Sequence, residues 1–201
     1  MGKTTLIYTF ECNNRKNSEE MIITPGIDTM KEKIDQAEKG NIYQLSDGTK
    51  AKCFLYDTNG QEKYDSLSDS YYRDADGCLL VYDITNRESY DNIKNKYIAQ
   101  IKEKCKSNIK VILIGNKSDL SFDREIERDE AGTFAVANHF QFQETSCVNN
   151  SNVVKAFQSI IEVTIFERKN ETNFKKVETV KITTANHTKK ETQMKKKKSS
   201  C

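Results

Sequence analysis

The chain has 201 residues, 36% of them hydrophobic and 31% charged, with 32 Lys and Arg against 30 Asp and Glu. That length suits one hydrophobic core and is short for two. With no run of eighteen apolar residues and no basic start leading into an apolar stretch, neither a membrane-spanning helix nor a secretory signal is expected. Cys12, Cys53, Cys78, Cys105, Cys147 and Cys201 are scattered without a C-x-x-C pair, a pattern that suits a reducing cytosol better than a zinc site or a disulfide framework. The charge is uneven. Residues 169–201 hold ten Lys and three Glu, +7, which leaves −5 on residues 1–168 of a chain whose net charge is +2. An acidic body argues against nucleic-acid binding by the folded part, and a basic tail suits an anionic surface.

Taken in chain order, Gly2-Lys3-Thr4-Thr5 matches the end of the phosphate-binding pattern G-x-x-x-x-G-K-[ST], and Thr4 to Phe10 is predicted as a helix entered directly from it. The stretch from Asn13 to Met30 is polar and irregular and holds the sole proline, Pro25. Asn41–Ser46 and Lys50–Tyr56 flank Asp47-Gly48, a hairpin signal. Cys78–Tyr82 and Ile109–Ile114 are apolar runs of buried-strand type, separated by Tyr90, Ile93, Tyr97, Ile98 and Ile101 at helical spacing. Glu130–Phe140 is predicted as a helix, Gln141–Thr145 as a strand and Val153–Phe166 as a closing amphipathic helix. Strands alternating with helices predict an α/β fold with a mostly parallel sheet, one antiparallel edge hairpin and right-handed crossovers. The expected division is a folded domain over residues 1–168 and a basic tail over 169–201 that stays disordered, because it buries too little apolar surface to offset ordering.

Two polar clusters follow buried strands, Asp57-Thr58-Asn59-Gly60-Gln61-Glu62 and Asn116-Lys117-Ser118-Asp119. They share the sheet edge at the carboxyl ends of the strands, where ligands of open α/β sheets bind. At Gly2-Lys3-Thr4 a glycine admits main-chain N–H groups to a phosphate, an ammonium bridges phosphate oxygens, and a hydroxyl ligates Mg²⁺. Asp57 is placed to hold Mg²⁺ through a water, Gly60 to offer its N–H to a terminal phosphate and Gln61 to orient an attacking water. The Asp119 carboxylate can accept from the N1–H and the exocyclic amine of guanine together, a donor pair that adenine lacks. Asn116 would brace that loop and the Lys117 stem would cover the base. Taken singly, Gly2-Lys3-Thr4 is weak evidence against a charged helix start, the Asp57 cluster reads also as an ordinary turn, and the Asn116 cluster is level with a solvated loop.

In order, Gly2-Lys3-Thr4, Thr24-Pro25-Gly26-Ile27-Asp28, Asp57 to Glu62, Asn116 to Asp119 and Glu144-Thr145-Ser146-Cys147 resemble the Ras-superfamily small GTPases. Tyr71-Tyr72-Arg73-Asp74-Ala75-Asp76-Gly77 and Leu79-Leu80-Val81-Tyr82-Asp83-Ile84-Thr85 are similar to the Rab family within them. The resemblance covers residues 1 to about 168. It implies a P-loop NTPase-like fold with helices on both faces of the sheet, and a switch that binds GTP or GDP with Mg²⁺ and hydrolyses GTP in vesicle traffic. On that resemblance the nucleotide is held by Gly2, Lys3, Thr4, Thr5, Thr24, Asp57, Gly60, Asn116, Lys117, Asp119, Ser146 and Cys147. Thr4, Thr24 and Asp57 serve the metal, and Gln61 positions the lytic water. Activating and exchange proteins, effectors at the switch loops and the cytosolic face of an intracellular membrane are the implied partners. A prenyl group on Cys201 beside Lys195-Lys196-Lys197-Lys198 would supply the two membrane signals that stable anchoring needs.

The resemblance also implies a strand and the first phosphate-loop glycine ahead of Met1, that strand lying between those ending at Asp57 and Asp83, so in-frame upstream codons are expected to encode it. Asn59 stands where the family carries a small alanine, and altered hydrolysis or nucleotide release is expected from it. Roughly ten extra residues lie between Thr29 and Gly40. The runner-up reading is a degenerate relative that no longer cycles nucleotide and acts as a binding surface. A P-loop ATPase or nucleotide kinase is disfavoured by the guanine-type cluster.

Overall fold

The computed structural model describes residues 2–16, 40–57, 72–171 and 178–185. The expectations for Thr24, Asn59, Gly60, Gln61, Cys201 and the segment 29–39 fall outside those residues.

Alternation sets the sheet. In β2 (Lys50–Asp57) every second residue is buried, and Leu45 N donates to Thr49 O at 2.9 Å to close a turn back to β1 (Asn41–Gln44). Gly48, at φ +81°, takes the left-handed conformation that this turn requires. The two strands pair antiparallel at the sheet edge, as the hairpin signal predicts. β3 (Gly77–Asp83) is buried along its whole length, the mark of a parallel strand covered on both faces. β4 (Lys110–Asn116) pairs parallel with it in a register that runs to Asp83 opposite Asn116, and β5 (Gln141–Thr145) pairs with β4 so that Thr145 is opposite Asn116. Asp83, Asn116 and Thr145 therefore form one row across the carboxyl edge.

Helices cover both faces. On one, α1 (Lys3–Lys16) contributes Leu6, Ile7 and Phe10, and these join Leu79, Val81, Ile112 and Ile114 of the strands. Phe10 stacks on Phe157 with ring centroids 4.1 Å apart, and Tyr43 donates to the buried Glu11 carboxylate, tying α1 to the hairpin. On the other face, α2 (Arg87–Asn92) is capped by Asn86, whose side chain accepts from Ser89 N at 2.8 Å. It runs through a π-helical turn, Ile93–Tyr97, into α3 (Ile98–Lys104). Tyr90, Ile93, Tyr97 and Ile101 pack there with Cys78, Leu80, Tyr82 and Leu113, and α4 (Arg128–Ala137) adds Ala131 and Ala135. α5 (Val153–Glu171) returns to the first face and brings Phe157, Ile160 and Ile161.

The expectation of a tail without order is overturned over part of its length. Residues Glu178–Ala185 form β6, parallel to both neighbours, in the sheet order β1-β2-β6-β3-β4-β5. β6 fills the central position that the resemblance reserved for a strand ahead of Met1. The physical reason is a short alternation within a lysine-rich segment. Val180 and Ile182, 0% and 1% exposed, point into the core beneath α1 and α5, and average composition does not register two residues of that kind.

Phe157→Ala removes the ring on which Phe10 and the first helix rest. Urea unfolding is expected to show a loss of about 3–5 kcal/mol, with no change in the signal of the folded baseline.

Candidate functional site

Local geometry at the chain start places two functional groups at once. Gly2 has φ +77°, and a Cβ there would lie 3.0 Å from Asn116 Nδ2, so a side chain is both strained and crowded. Its carbonyl accepts from Leu6 N at 2.8 Å and starts α1. The next residue, Lys3, is 1% exposed although it carries an ammonium. Thr4 Oγ1 donates to Asp57 Oδ2 at 2.5 Å, joining the start of α1 to the end of β2. The fourteen-residue helix adds its positive dipole end at the same place. Thr5, the next expected residue, is exposed. A hydroxyl and a carboxylate oxygen side by side are hard oxygen donors of the kind that a small divalent cation takes. The residues present therefore fit Mg²⁺.

The second cluster is pinned from four directions. Asn116 is 2% exposed, and its Oδ1 accepts from Thr145 Oγ1 at 3.1 Å and from Cys147 Sγ at 3.8 Å. Lys117 takes a left-handed φ of +66°, and its Nζ lies 2.6 Å from Asp83 Oδ2. Asp119 Oδ1 accepts from Ser146 Oγ at 2.5 Å. That serine oxygen in turn accepts from Val148 N and Asn149 N at 3.2 and 3.3 Å. The result is a half-buried carboxylate held through one oxygen. Burial pushes the Cys147 thiol up, against the lowering effect of its hydrogen bonds with Thr9 and Asn116.

Asp83 and the Arg124–Glu144 pair hold the site's loops in place, although the sequence motifs give none of the three a role. Burial raises the Asp83 carboxyl, but the Lys117 ammonium with the Thr85 hydroxyl and N–H outweighs that and leaves it below its ordinary 3.8. A signal for it does exist: β3 ends in a polar residue, and that residue is level with Asn116 at the end of β4. Arg124 meets Glu144 through two contacts, Nη1–Oε1 at 2.6 Å and Nη2–Oε2 at 3.1 Å, with both side chains largely covered. This fork ties the chain just after the Asp119 loop to the end of β5, one residue before Thr145.

Of the expected residues, Gly2, Lys3, Thr4 and Asp57 are brought together at one end of the edge, and Asn116, Lys117, Asp119, Ser146 and Cys147 at the other. Gly2 beside Asn116 is where the groups meet.

Comparison with known proteins gives the family. The Ras family model matches residues 1–166. The Ras-related protein Rab-11A of Dictyostelium discoideum is 41% identical over 116 residues, 58% of this chain and 54% of that protein, so the match spans about half of the relative's length.

The pH dependence of the Asp83–Lys117 pair has a definite sign. A carboxyl lowered in the folded state contributes stability above its unfolded pKa and loses it as pH falls through the folded value. Lys117→Met is therefore expected to be less stable than the parent at neutral pH, with the gap narrowing as pH drops below about 3.8. Urea midpoints measured across pH check this; a gap that stays constant contradicts it.

Proposed function

This chain belongs to the Ras family, and on that premise we propose that it is a Rab-like small GTPase that binds GTP and GDP with Mg²⁺, hydrolyses GTP and acts as a switch in vesicle traffic. The observation that carries the reading is the double anchorage at one sheet edge. Asp119 is held by Ser146 at 2.5 Å, and Thr4 is held against Asp57 at 2.5 Å.

In this reading the open acceptor capacity of Asp119 takes the N1–H and the amine of guanine, and Asn116 keeps the loop rigid. Lys117, fixed by Asp83, lays its aliphatic stem along the base. Ser146 and Cys147 support the base from the loop after β5. Lys3 neutralises phosphate charge from the start of α1, while Gly2 and Thr5 present main-chain N–H groups. Thr4, Thr24 and, through a water, Asp57 would hold Mg²⁺, which would supply charge neutralisation on the phosphates. Gln61 orients the attacking water and Gly60 offers its N–H to the terminal phosphate. Unassisted turnover in sites of this kind is slow, on the order of 10⁻⁴ s⁻¹ for Ras, so activating and exchange proteins and effectors at the switch loops belong to the proposal. So does a place on the cytosolic face of an intracellular membrane, reached through the lysines at 195–198 and a prenylated Cys201. Among the described residues, no helix is long and apolar enough to cross a membrane.

Competition of GTP and ATP against fluorescent GDP tests the site. The parent is expected to discriminate strongly for GTP. Asp119→Ala is expected to lose about two orders of magnitude or more of that preference, because hydrogen bonds to a charged group contribute about 1.5–3 kcal/mol each. Equal affinity of the parent for ATP and GTP contradicts the proposal. For the anchor, intact mass of protein from cells should show a prenyl adduct on Cys201 that is absent from Cys201→Ser.

A further inference from the structure

β5 is shorter than the strand it pairs with. It begins at Gln141, opposite Ile112, so among the described strands Lys110 and Val111 of β4 have a neighbour on the β3 side only. The corner of the sheet left open in this way is a groove of about 780 Å³. It runs from Ile98 and Ile101 of α3 on one face, past Val111 and Phe140, to Ile160 and Val163 of α5 on the other. The groove lies at the amino ends of β4 and β5, away from Asn116 and Thr145 at their carboxyl ends, and is therefore separate from the nucleotide site proposed above.

Its floor is apolar. Ile98, Ile109, Phe140 and Val163 are each half-buried, and the volume is within the range of about 300–1,000 Å³ usual for sites that enclose a small molecule. Its rim is basic: Lys102, Lys106 and Lys110 line it, and among the described residues no Asp or Glu does. Two of those charges are engaged, Lys106 by Asp76 at 2.9 Å and Lys110 by Glu167 at 3.0 Å. Among the described residues, Lys102 has no such partner. The end of α4 offers few open carbonyls to offset that charge, because its own turn takes them. Asn138 N donates to Ala135 O at 3.1 Å and Phe140 N donates to the same oxygen at 2.8 Å, with His139 between them at φ +58°.

We propose that this groove binds a single-chain alkyl carboxylate, its tail along the apolar floor and its carboxylate at Lys102. One ammonium without a partner matches one negative charge. A phosphate monoester, with nearly two, would require Lys106 or Lys110 to leave its own carboxylate. The Lys102 stem can lie on the apolar floor while its head stays in water, which suits a ligand whose tail is covered and whose head is wet.

Isothermal titration calorimetry of the full chain with decanoate, dodecanoate and decanol, each below the concentration at which it aggregates, tests this. One carboxylate is expected to bind per chain, dodecanoate about tenfold more tightly than decanoate because two more methylenes are covered. Decanol is expected to bind about two- to fivefold more weakly than decanoate, and Lys102→Gln to weaken decanoate by that same factor while leaving decanol unchanged. Val163→Trp fills the groove from α5 and Ala137→Trp fills it from the end of α4, and each is expected to abolish binding of all three. Ala137 is exposed, so its variant keeps the fold.

Uptake of several molecules per chain, binding that survives Ala137→Trp, or no binding of any of the three overturns the site. Decanol bound as tightly as decanoate, with Lys102→Gln without effect, overturns the assignment of a carboxylate.

Discussion

Among the described strands, the two halves of the sheet meet through β6 alone. β2 pairs with β1 and β6, and β3 pairs with β4 and β6. Asp57 ends the first half, while Asp83, Asn116 and Thr145 end the second. Their separation across the carboxyl edge is therefore set by the one strand between them. Without that strand β2 and β3 would each present an unpaired edge, so the site geometry is a consequence of sheet closure before it is a consequence of any loop.

Upon that frame the polar residues act by holding one another. Lys117 would sit in a strained left-handed conformation to no purpose without Asp83, and Asp83 would be a buried carboxylate without a cation. Ser146 fixes Asp119, Thr145 fixes Asn116, and the Arg124–Glu144 fork keeps the two segments at a constant spacing. Preorganisation of this kind removes reorganisation from a binding step, which is what the proposed nucleotide site requires. At the proposed metal side, Thr4 and Asp57 come from α1 and β2, whose Leu6, Phe10, Cys53 and Leu55 share one core cluster.

Much of this is legible in the residues. The hairpin follows from Asp47-Gly48 between alternating runs, β3 and β4 from continuous apolar stretches, and β5 from Gln141–Thr145 with the same bounds as observed. The helix over Tyr90 to Ile101 follows from its spacing, although its π-turn does not, since periodicity cannot tell one extra residue per turn in a short stretch. Asp119 and Asn116 stand out because they follow a strand in a recognisable cluster. Asp83 does not, because its importance lies in a partner 34 positions along the chain, and a single carboxylate after a strand has many ordinary explanations. β6 is hidden for a different reason. Its fitness for the sheet is supplied by the slot, in which Val180 and Ile182 meet α1 and α5, and a lysine-rich composition conceals two such residues.

The central claim is that Glu178–Ala185 closes the sheet. Amide hydrogen exchange of the full chain with Mg²⁺ and GDP, read over the peptide spanning 178–185, tests it most directly. Closure predicts exchange slower by about a hundredfold or more than in a free peptide of the same sequence. Exchange at the rate of the free peptide would contradict it, and with it the spacing of Asp57 from the row formed by Asp83, Asn116 and Thr145.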